Sequence, residues 1–419
     1  MLRLNFNNDH TFKLSVSALL FSVPMCFVVW TAGLWVIQAA WVILWLSGLN
    51  RLQRLYKQHT QQLRLSAAMR LWFFVILSYL IWCAASVMLL KSPLQSLDNG
   101  IIFLGWLLCI PVLIDLHPDY KFLAYGCFLT LLISLAIALT QFHYFNFERA
   151  IGLYGNGKRG SGAIKFGDMA LLLGELAFIF FAEQERTKYL GLLAIFLGSV
   201  ICVYASARGG ILALGLCVLI WQLTLNKNRF SFMEQVLMLL AIVAGLYVLN
   251  FAMNNYLLLR LLETQQELKN IIAFQLDSSM GIRLQLWYAA LQIFLEHPII
   301  GVGLNNFSKA LLHLQQQHLI SHHAASFAHA HNEFLCALAT GGIVGFSLTL
   351  LLFILPMRMF WKDYHKSIWA RAGFWSVCLM SFFALTDCIF DRRMTVMAFI
   401  VIISMSLAGN HVHKNQESC

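Results

Sequence analysis

Charge is what this sequence has least of. Only 11% of its 419 residues are Asp, Glu, Lys or Arg, against about 25% in an ordinary soluble domain, and that shortage excludes a water-soluble globule. There are six prolines, no internal repeat, no low-complexity tract and no run of period-two alternation, so neither a solenoid nor a membrane β-barrel fits. Ten cysteines are present, yet none forms a CxxC pair, which removes the usual spacing of a zinc site or redox centre. Nine of them (Cys26, Cys83, Cys109, Cys127, Cys202, Cys217, Cys336, Cys378 and Cys388) fall in or beside apolar stretches and read as packing residues. The basic residues, which leave a net charge of +10, are scattered rather than clustered with aromatics, so nucleic acid is not an expected partner. No small-residue cleavage site follows the first apolar run, which therefore reads as an uncleaved helix.

What is abundant is apolar surface: 60% of residues, with 33 Phe and 12 Trp. A membrane-crossing helix needs about twenty such residues. Apolar runs near 15–31, 33–49, 71–90, 101–114, 122–142, 168–183, 189–206, 209–225, 235–254, 334–355, 369–388 and 395–409 predict about twelve transmembrane helices in one all-α polytopic bundle over residues 1–419. They must be helices because hydrocarbon leaves backbone N–H and C=O groups without partners. The bias of Lys and Arg, including Arg51, Arg54, Lys57, Arg64 and Arg70 in one short loop, puts both termini on the cytoplasmic side. The long segment 255–332, between the ninth and tenth spans, is then periplasmic. It reads as amphipathic helices: apolar residues recur at helical spacing from Leu284 to Phe294, Glu296-His297-Pro298 ends that helix, Gly301 and Gly303 make a turn, and a second helix covers 305–320.

Three outward places hold polar groups that a purely structural bundle would not need. Gly155-Asn156-Gly157-Lys158-Arg159-Gly160, followed by Lys165, matches GxGxxG by letter, but a dinucleotide fold needs a preceding strand and a βαβ unit. The segment reads either as a basic glycine-rich loop that contacts phosphate or glycan, or as a plain basic turn. Ser206-Ala207-Arg208-Gly209-Gly210 places an arginine at a membrane edge, where it must be paired, snorkel or face a polar cavity. Gly281-Ile282-Arg283 and His329-Ala330-His331-Asn332 form the third. Two arginines present planar donor forks suited to a diphosphate, and a histidine can take a proton from a hydroxyl. His331 is the candidate base. His329 lies two residues away, and on a helix the two rings would point in different directions. Six histidines crowd the stretch from His313 to His331, but without HExxH spacing or a nearby Cys or Asp the pattern predicts no metal site.

These residues carry a family resemblance. His331-Asn332, nine residues, then Gly342-Ile343-Val344-Gly345 resembles the H-N-x9-G-x-x-G signature of the bacterial O-antigen ligase family. Gly281 to Gly303, Lys165-Phe166-Gly167-Asp168 with the residues after it, and Ser206 to Gly210 resemble further family blocks in the same order. The first 150 residues resemble the family in hydropathy alone. The resemblance implies a metal-independent, cofactor-free, inverting glycosyltransferase of the GT-C type. Such an enzyme sits in the bacterial inner membrane and moves O-antigen glycan from undecaprenyl diphosphate to lipid A-core oligosaccharide on the periplasmic face. It also implies Arg208 and Arg283 as diphosphate ligands and His331 as base; Lys158, Arg159, Lys165, His329 and Asn332 are the further candidates for binding substrate. O-antigen polymerases and protein O-oligosaccharyltransferases share parts of this pattern. A lipid or glycan transporter is the non-enzymatic alternative, which ionisable residues deep in several spans or inverted repeats would favour.

Overall fold

In the computed structural model, residues 9–28, 33–47, 67–116, 119–153, 161–224, 233, 256–273 and 275–417 are described, and no strand occurs among them. In chain order the helices are α1 (Asp9–Val28), α2 (Gly33–Ser47), α3 (Ala67–Leu89), α4 (Asp98–Leu108), α5 (Ile110–Leu116), α6 (Tyr120–His143), α7 (Ser161–Phe181), α8 (Lys188–Tyr204) and α9 (Arg208–Thr224). They continue with α10 (Tyr256–Ile272), α11 (Ser279–Glu296), α12 (Phe307–Gln316), α13 (His322–Ala325), α14 (Glu333–Asp363), α15 (Ile368–Thr386) and α16 (Arg393–Glu417).

Among the described residues, six segments are long and apolar enough to cross a membrane: Met69–Leu89, Leu94–Leu116, Tyr120–His143, Glu333–Asp363, Ile368–Thr386 and Arg393–Lys414. Shorter apolar helices cover Leu14–Val28, Gly33–Ile43, Lys188–Tyr204 and Arg208–Val218. Each expected apolar run falls on a described helix except 235–254, which lies outside the described residues, as does the 155–160 loop with Lys158 and Arg159. The run expected at 168–183 begins earlier, at Ser161, so that α7 carries Lys165, Asp168 and Glu175 inside the bundle, all three buried.

The bundle is layered around its C-terminal helices. Of the apolar stretch of α16, 94% is enclosed by protein, against 39% for α3, so α16 is a central post and α3 a lipid-facing wall. Small residues set the closest approach. A Cβ on Gly198 would stand 2.6 Å from the Ala170 carbonyl oxygen, and one on Gly174 would stand 2.9 Å from that of Ala194. Between α7 and α8 backbone meets backbone, which is how helices associate where lipid offers no hydrophobic gradient. Polar ties fasten the ends. Asp363 accepts from Asn410 at 2.8 Å and Lys414 at 2.5 Å at one end. At the other, Asn99 Nδ2 donates to the Phe390 carbonyl at 2.8 Å.

The glycine half of the H-N-x9-G-x-x-G block has a structural cause. Helix α14 kinks at Gly342, whose φ of 57° and ψ of −156° lie outside helical space, in a region open essentially to glycine. The kink frees backbone groups inside the bundle, and the 298–304 turn satisfies them. Val302 and Gly303 donate to the Ala339 and Thr340 carbonyls at 3.2 and 2.9 Å, while Ile343 donates back to Pro298 at 2.9 Å. Gly301 and Gly303 have positive φ, as the predicted turn requires. The turn thereby docks the segment between α9 and α14 onto the bundle, and that segment builds a second small core. Ile282, Leu286, Ala290 and Ile293 of α11 pack there with Phe307, Leu311 and Leu314 of α12, and with Ala330 and Ala339.

Gly342→Ala is expected to cost about 1–3 kcal/mol from backbone strain alone, and more from the collision of its Cβ with the Ile299 backbone. Gly215, which has nothing within 4 Å of a built Cβ, is the control: Gly215→Ala should be neutral or raise stability by up to about 1 kcal/mol. Thermal unfolding of the detergent-solubilised protein compares the two.

Candidate active site

The site assembles where α7, α9, α11, α14 and α15 meet. Asp387, the residue that ends α15, is its hub and is 3% exposed. One carboxylate oxygen, Oδ2, takes Lys165 Nζ at 3.1 Å. The other, Oδ1, accepts from the Cys388 backbone N–H at 2.9 Å and faces His331 Nδ1 at 3.1 Å. Lys165 completes its shell by donating to the Cys388 carbonyl at 2.5 Å. Burial by itself would raise the Asp387 pKa, but the Lys165 ammonium, the His331 bond and the nearby His329 ring hold the carboxyl well below the usual carboxylate range.

Lys165 was expected in a basic loop contacting substrate. It instead lies within α7, 3% exposed, as the counter-ion of Asp387, because its helix starts before the apolar run does. Asp387 itself was missed. The signal was a lone carboxylate directly after the last turn of an apolar span, a costly placement that marks function by default.

His331 stands in the left-handed region, with φ of 49°, and its ring and the backbone before it are both held. Asp387 holds Nδ1, the Phe327 ring lies edge-on at 5.5 Å, and Trp287 of α11 donates to the Ala330 carbonyl at 3.1 Å. Donation from Nδ1–H to the carboxylate leaves Nε2 with its lone pair, the tautomer a base requires. Asn332 is committed to the backbone. Its Oδ1 caps α14 by accepting from Leu335 N at 3.0 Å, and its Nδ2 donates to the Leu385 carbonyl at 3.1 Å. Both polar ends thus tie the loop to α14 and α15.

His329 and His331 were expected to diverge on a helix. Residues 326–332 are loop, α14 starting only at Glu333, and the two rings meet at 4.5 Å between centroids. Burial, with His331 and Lys165 adding repulsion, pushes the His329 pKa down to about 4, so that ring is neutral at pH 7. Folding also brings the Asp that the sequence pattern lacked. Ligand atoms of His329, His331 and Asp387 all lie within 4.8 Å of one another, a spacing a metal ion would accept. Both Asp387 oxygens are already bonded, however, and Lys165 already balances the carboxylate's charge.

The arginines differ. Arg208 opens α9, its guanidinium donating to Thr264 Oγ1 at 2.8 Å and facing Glu263 and Glu267 of α10 at 3.5 and 3.6 Å. The two carboxylate distances exceed a direct hydrogen bond, so these pairs are loose. Gly209 and Gly210 are small because Thr386 and Asp168 occupy the space where their Cβ atoms would go. They bring the protein's own helices, rather than a ligand, against the Arg208 turn. Arg283, on α11, is more buried, and burial lowers its pKa while Asp387 draws it back up. It has no carboxylate within ion-pair distance among the described residues, although Asp387, Glu267 and Asp168 all contribute to its field. A guanidinium cannot shed its proton, so Arg283 stays charged in the field of Asp387, Glu267 and Asp168.

The fold and site define an all-helical membrane protein with a carboxylate-held histidine and two arginines gathered at one end of its bundle. Residues 193–350 match the family model Wzy_C, described as O-Antigen ligase. Over this segment the chain is similar to the O-antigen ligase family. A Haemophilus influenzae protein described as uncharacterized is 23% identical over 295 residues, 69% of this chain and 72% of that one. The matched segment contains Arg208, Arg283, His329, His331 and both glycines of the kink block, whereas Lys165 and Asp387 lie outside it.

Because folding depresses the His329 pKa from about 6.5 to about 4, the unfolded chain binds the proton first. Stability from this group is complete above pH 6.5 and falls as pH drops toward 4, by at most roughly 3 kcal/mol. Asp387 acts in a lower window, losing its contribution only as pH falls through its depressed folded value. Thermal unfolding measured from about pH 8 to pH 4 should decline for the wild type, and His329→Asn should flatten the upper part of that decline.

Proposed function

We propose that this protein is a membrane glycosyltransferase that transfers O-antigen glycan from undecaprenyl diphosphate to lipid A-core oligosaccharide on the periplasmic face of the bacterial inner membrane. The supporting observation is the His331–Asp387 hydrogen bond beside the arginines of a family-matched segment. The acceptor hydroxyl attacks the anomeric carbon from the face opposite the diphosphate and its proton passes to His331 Nε2. The new C–O bond forms as the anomeric C–O bond to phosphate breaks, and the electron pair leaves with undecaprenyl diphosphate, inverting the centre. Asp387 carries no proton in this step. It orients the ring and stabilises the imidazolium, in the manner of a carboxylate–histidine pair in acyl transfer. Arg283 and Arg208 neutralise the charge that develops on the leaving diphosphate, the task a metal ion performs elsewhere, so divalent cations are not required. In this reading the expected twelve-span arrangement, with Lys and Arg biased to the cytoplasmic side, turns this end of the bundle outward.

The carboxylates of Glu263 and Glu267 lie beside Arg208, in the position that the diphosphate would take. Their loose geometry makes exchange inexpensive. Glu267→Gln is accordingly expected to lower the KM for the lipid-linked donor several-fold with kcat unchanged. A raised KM would show that α10 builds the donor site rather than standing in for it.

The direct test incubates membranes holding this protein with lipid-linked glycan and rough lipopolysaccharide, in EDTA and without ATP. Polymer-bearing lipopolysaccharide is the expected product, whereas a lengthened lipid-linked glycan would identify a polymerase. His331→Ala should reduce transfer about 10²–10⁴-fold. Arg283→Lys should reduce it about 10²–10³-fold, because an ammonium lacks the two-pronged donor geometry. Full activity in either variant at matched membrane levels removes the assignment.

A further inference from the structure

Outside the catalytic cluster, one cavity of about 380 Å³ lies between the end of α3, the C-terminal turn of α11 and one face of α12. Its lining includes Lys91, His297, Lys309 and His313, with Glu296 as the one carboxylate. Neither lysine has a carboxylate within ion-pair distance among the described residues, although Lys309 Nζ donates to Asn306 Oδ1 at 3.0 Å. Both lysines are exposed. These two are brought to one cavity by a fixed frame.

The frame is polar and mostly buried. Ser86 and Ser92 share a hydrogen bond at 2.8 Å, Ser86 Oγ accepts from Leu304 N at 2.9 Å, and Asn306 Nδ2 reaches the Leu90 and Val302 carbonyls at 3.2 and 3.1 Å. The loop bearing Lys91 and the turn leading to Lys309 are thus stapled to each other. Lys91 is held at φ of 51°, a conformation that costs a non-glycine residue energy and persists only when its surroundings impose it.

The cavity also sits at the membrane surface. Leu90, on its lining, follows the last residue of a membrane-spanning segment. Residues adjoining the lining in the chain are apolar and exposed, among them Met88, Leu89, Leu94, Leu295, Ile299 and Leu312. Cationic groups above an apolar collar match an amphiphile whose anionic head and hydrocarbon tail meet at that level. The geometry points to a binding site for the phosphate of a membrane lipid, held by Lys91 and Lys309, in the leaflet that also faces His331. The site shares no residue with the catalytic cluster and stands whether or not the glycan-transfer reading holds.

The test uses the full-length protein in phosphatidylcholine nanodiscs doped with dioleoyl phosphatidic acid, with retained lipid counted by native mass spectrometry. Wild type should retain phosphatidic acid. Lys91→Gln with Lys309→Gln should bind it at least about tenfold more weakly while unfolding at the same temperature, whereas Lys121→Gln with Lys366→Gln, a control for general charge, should bind as wild type does. Excess inorganic phosphate should fail to displace the lipid. Equal retention by the wild type and the first double variant overturns the site, as does equal loss in both double variants. Displacement by inorganic phosphate overturns the lipid and leaves a simple phosphate site. Should the first double variant unfold early, Lys309→Gln alone must still weaken retention, or the proposal fails.

Discussion

The ion pair between Lys165 and Asp387 is the constraint on which the active end of this molecule depends. Two charges, each 3% exposed, are stable in a low-dielectric interior only if they are paired and their remaining bonding capacity is filled. Here that capacity is filled by the Cys388 backbone and by His331. The pair ties the first third of α7 to the end of α15, residues more than two hundred positions apart. Asp387 is thereby held deprotonated, and a deprotonated Asp387 fixes the tautomer of His331. A buried pair of this kind adds little net stability compared with apolar residues. Its value lies in specifying one arrangement of helices and one orientation of a ring.

The rest of the site is a matter of bringing remote pieces to that pair. Glycines at 209 and 210 allow the Arg208 turn to close on Thr386 and Asp168. The kink at Gly342 opens a place into which the 298–304 turn docks, and the docked segment carries α11 with Arg283 over the histidine loop. Trp287, from the same helix, then fixes that loop through the Ala330 carbonyl. The motif glycines are remote from the chemistry in role. They act by letting the outer segment and the bundle share backbone hydrogen bonds.

The histidine loop shows how far pattern reading extends. Spacing pointed to His331 and to the two arginines because rare charges in an apolar chain stand out. It misplaced Lys165 and the relation of His329 to His331, each for a traceable reason. Helix α7 extends past its apolar run, so a residue that looked like loop is interior. The 326–332 stretch is loop, so two histidines expected to diverge touch. Asn332 has the ordinary duty of a residue that begins a helix.

By itself the sequence determined the solvent in which the chain folds, the helical class and most of the helices, because apolar runs in hydrocarbon leave the backbone no other way to satisfy its hydrogen bonds. It also singled out Arg208, Arg283 and His331 as candidate functional groups, since each charged residue in such a chain must justify its desolvation, but it passed over Asp387. Only the tertiary structure decided who partners whom. Whether Lys165 meets a ligand or Asp387, and whether Arg208 rests on Glu263 and Glu267, depends on contacts between residues far apart in the chain. The strength of each such pairing falls with distance and rises with burial, and neither quantity exists until the helices are packed.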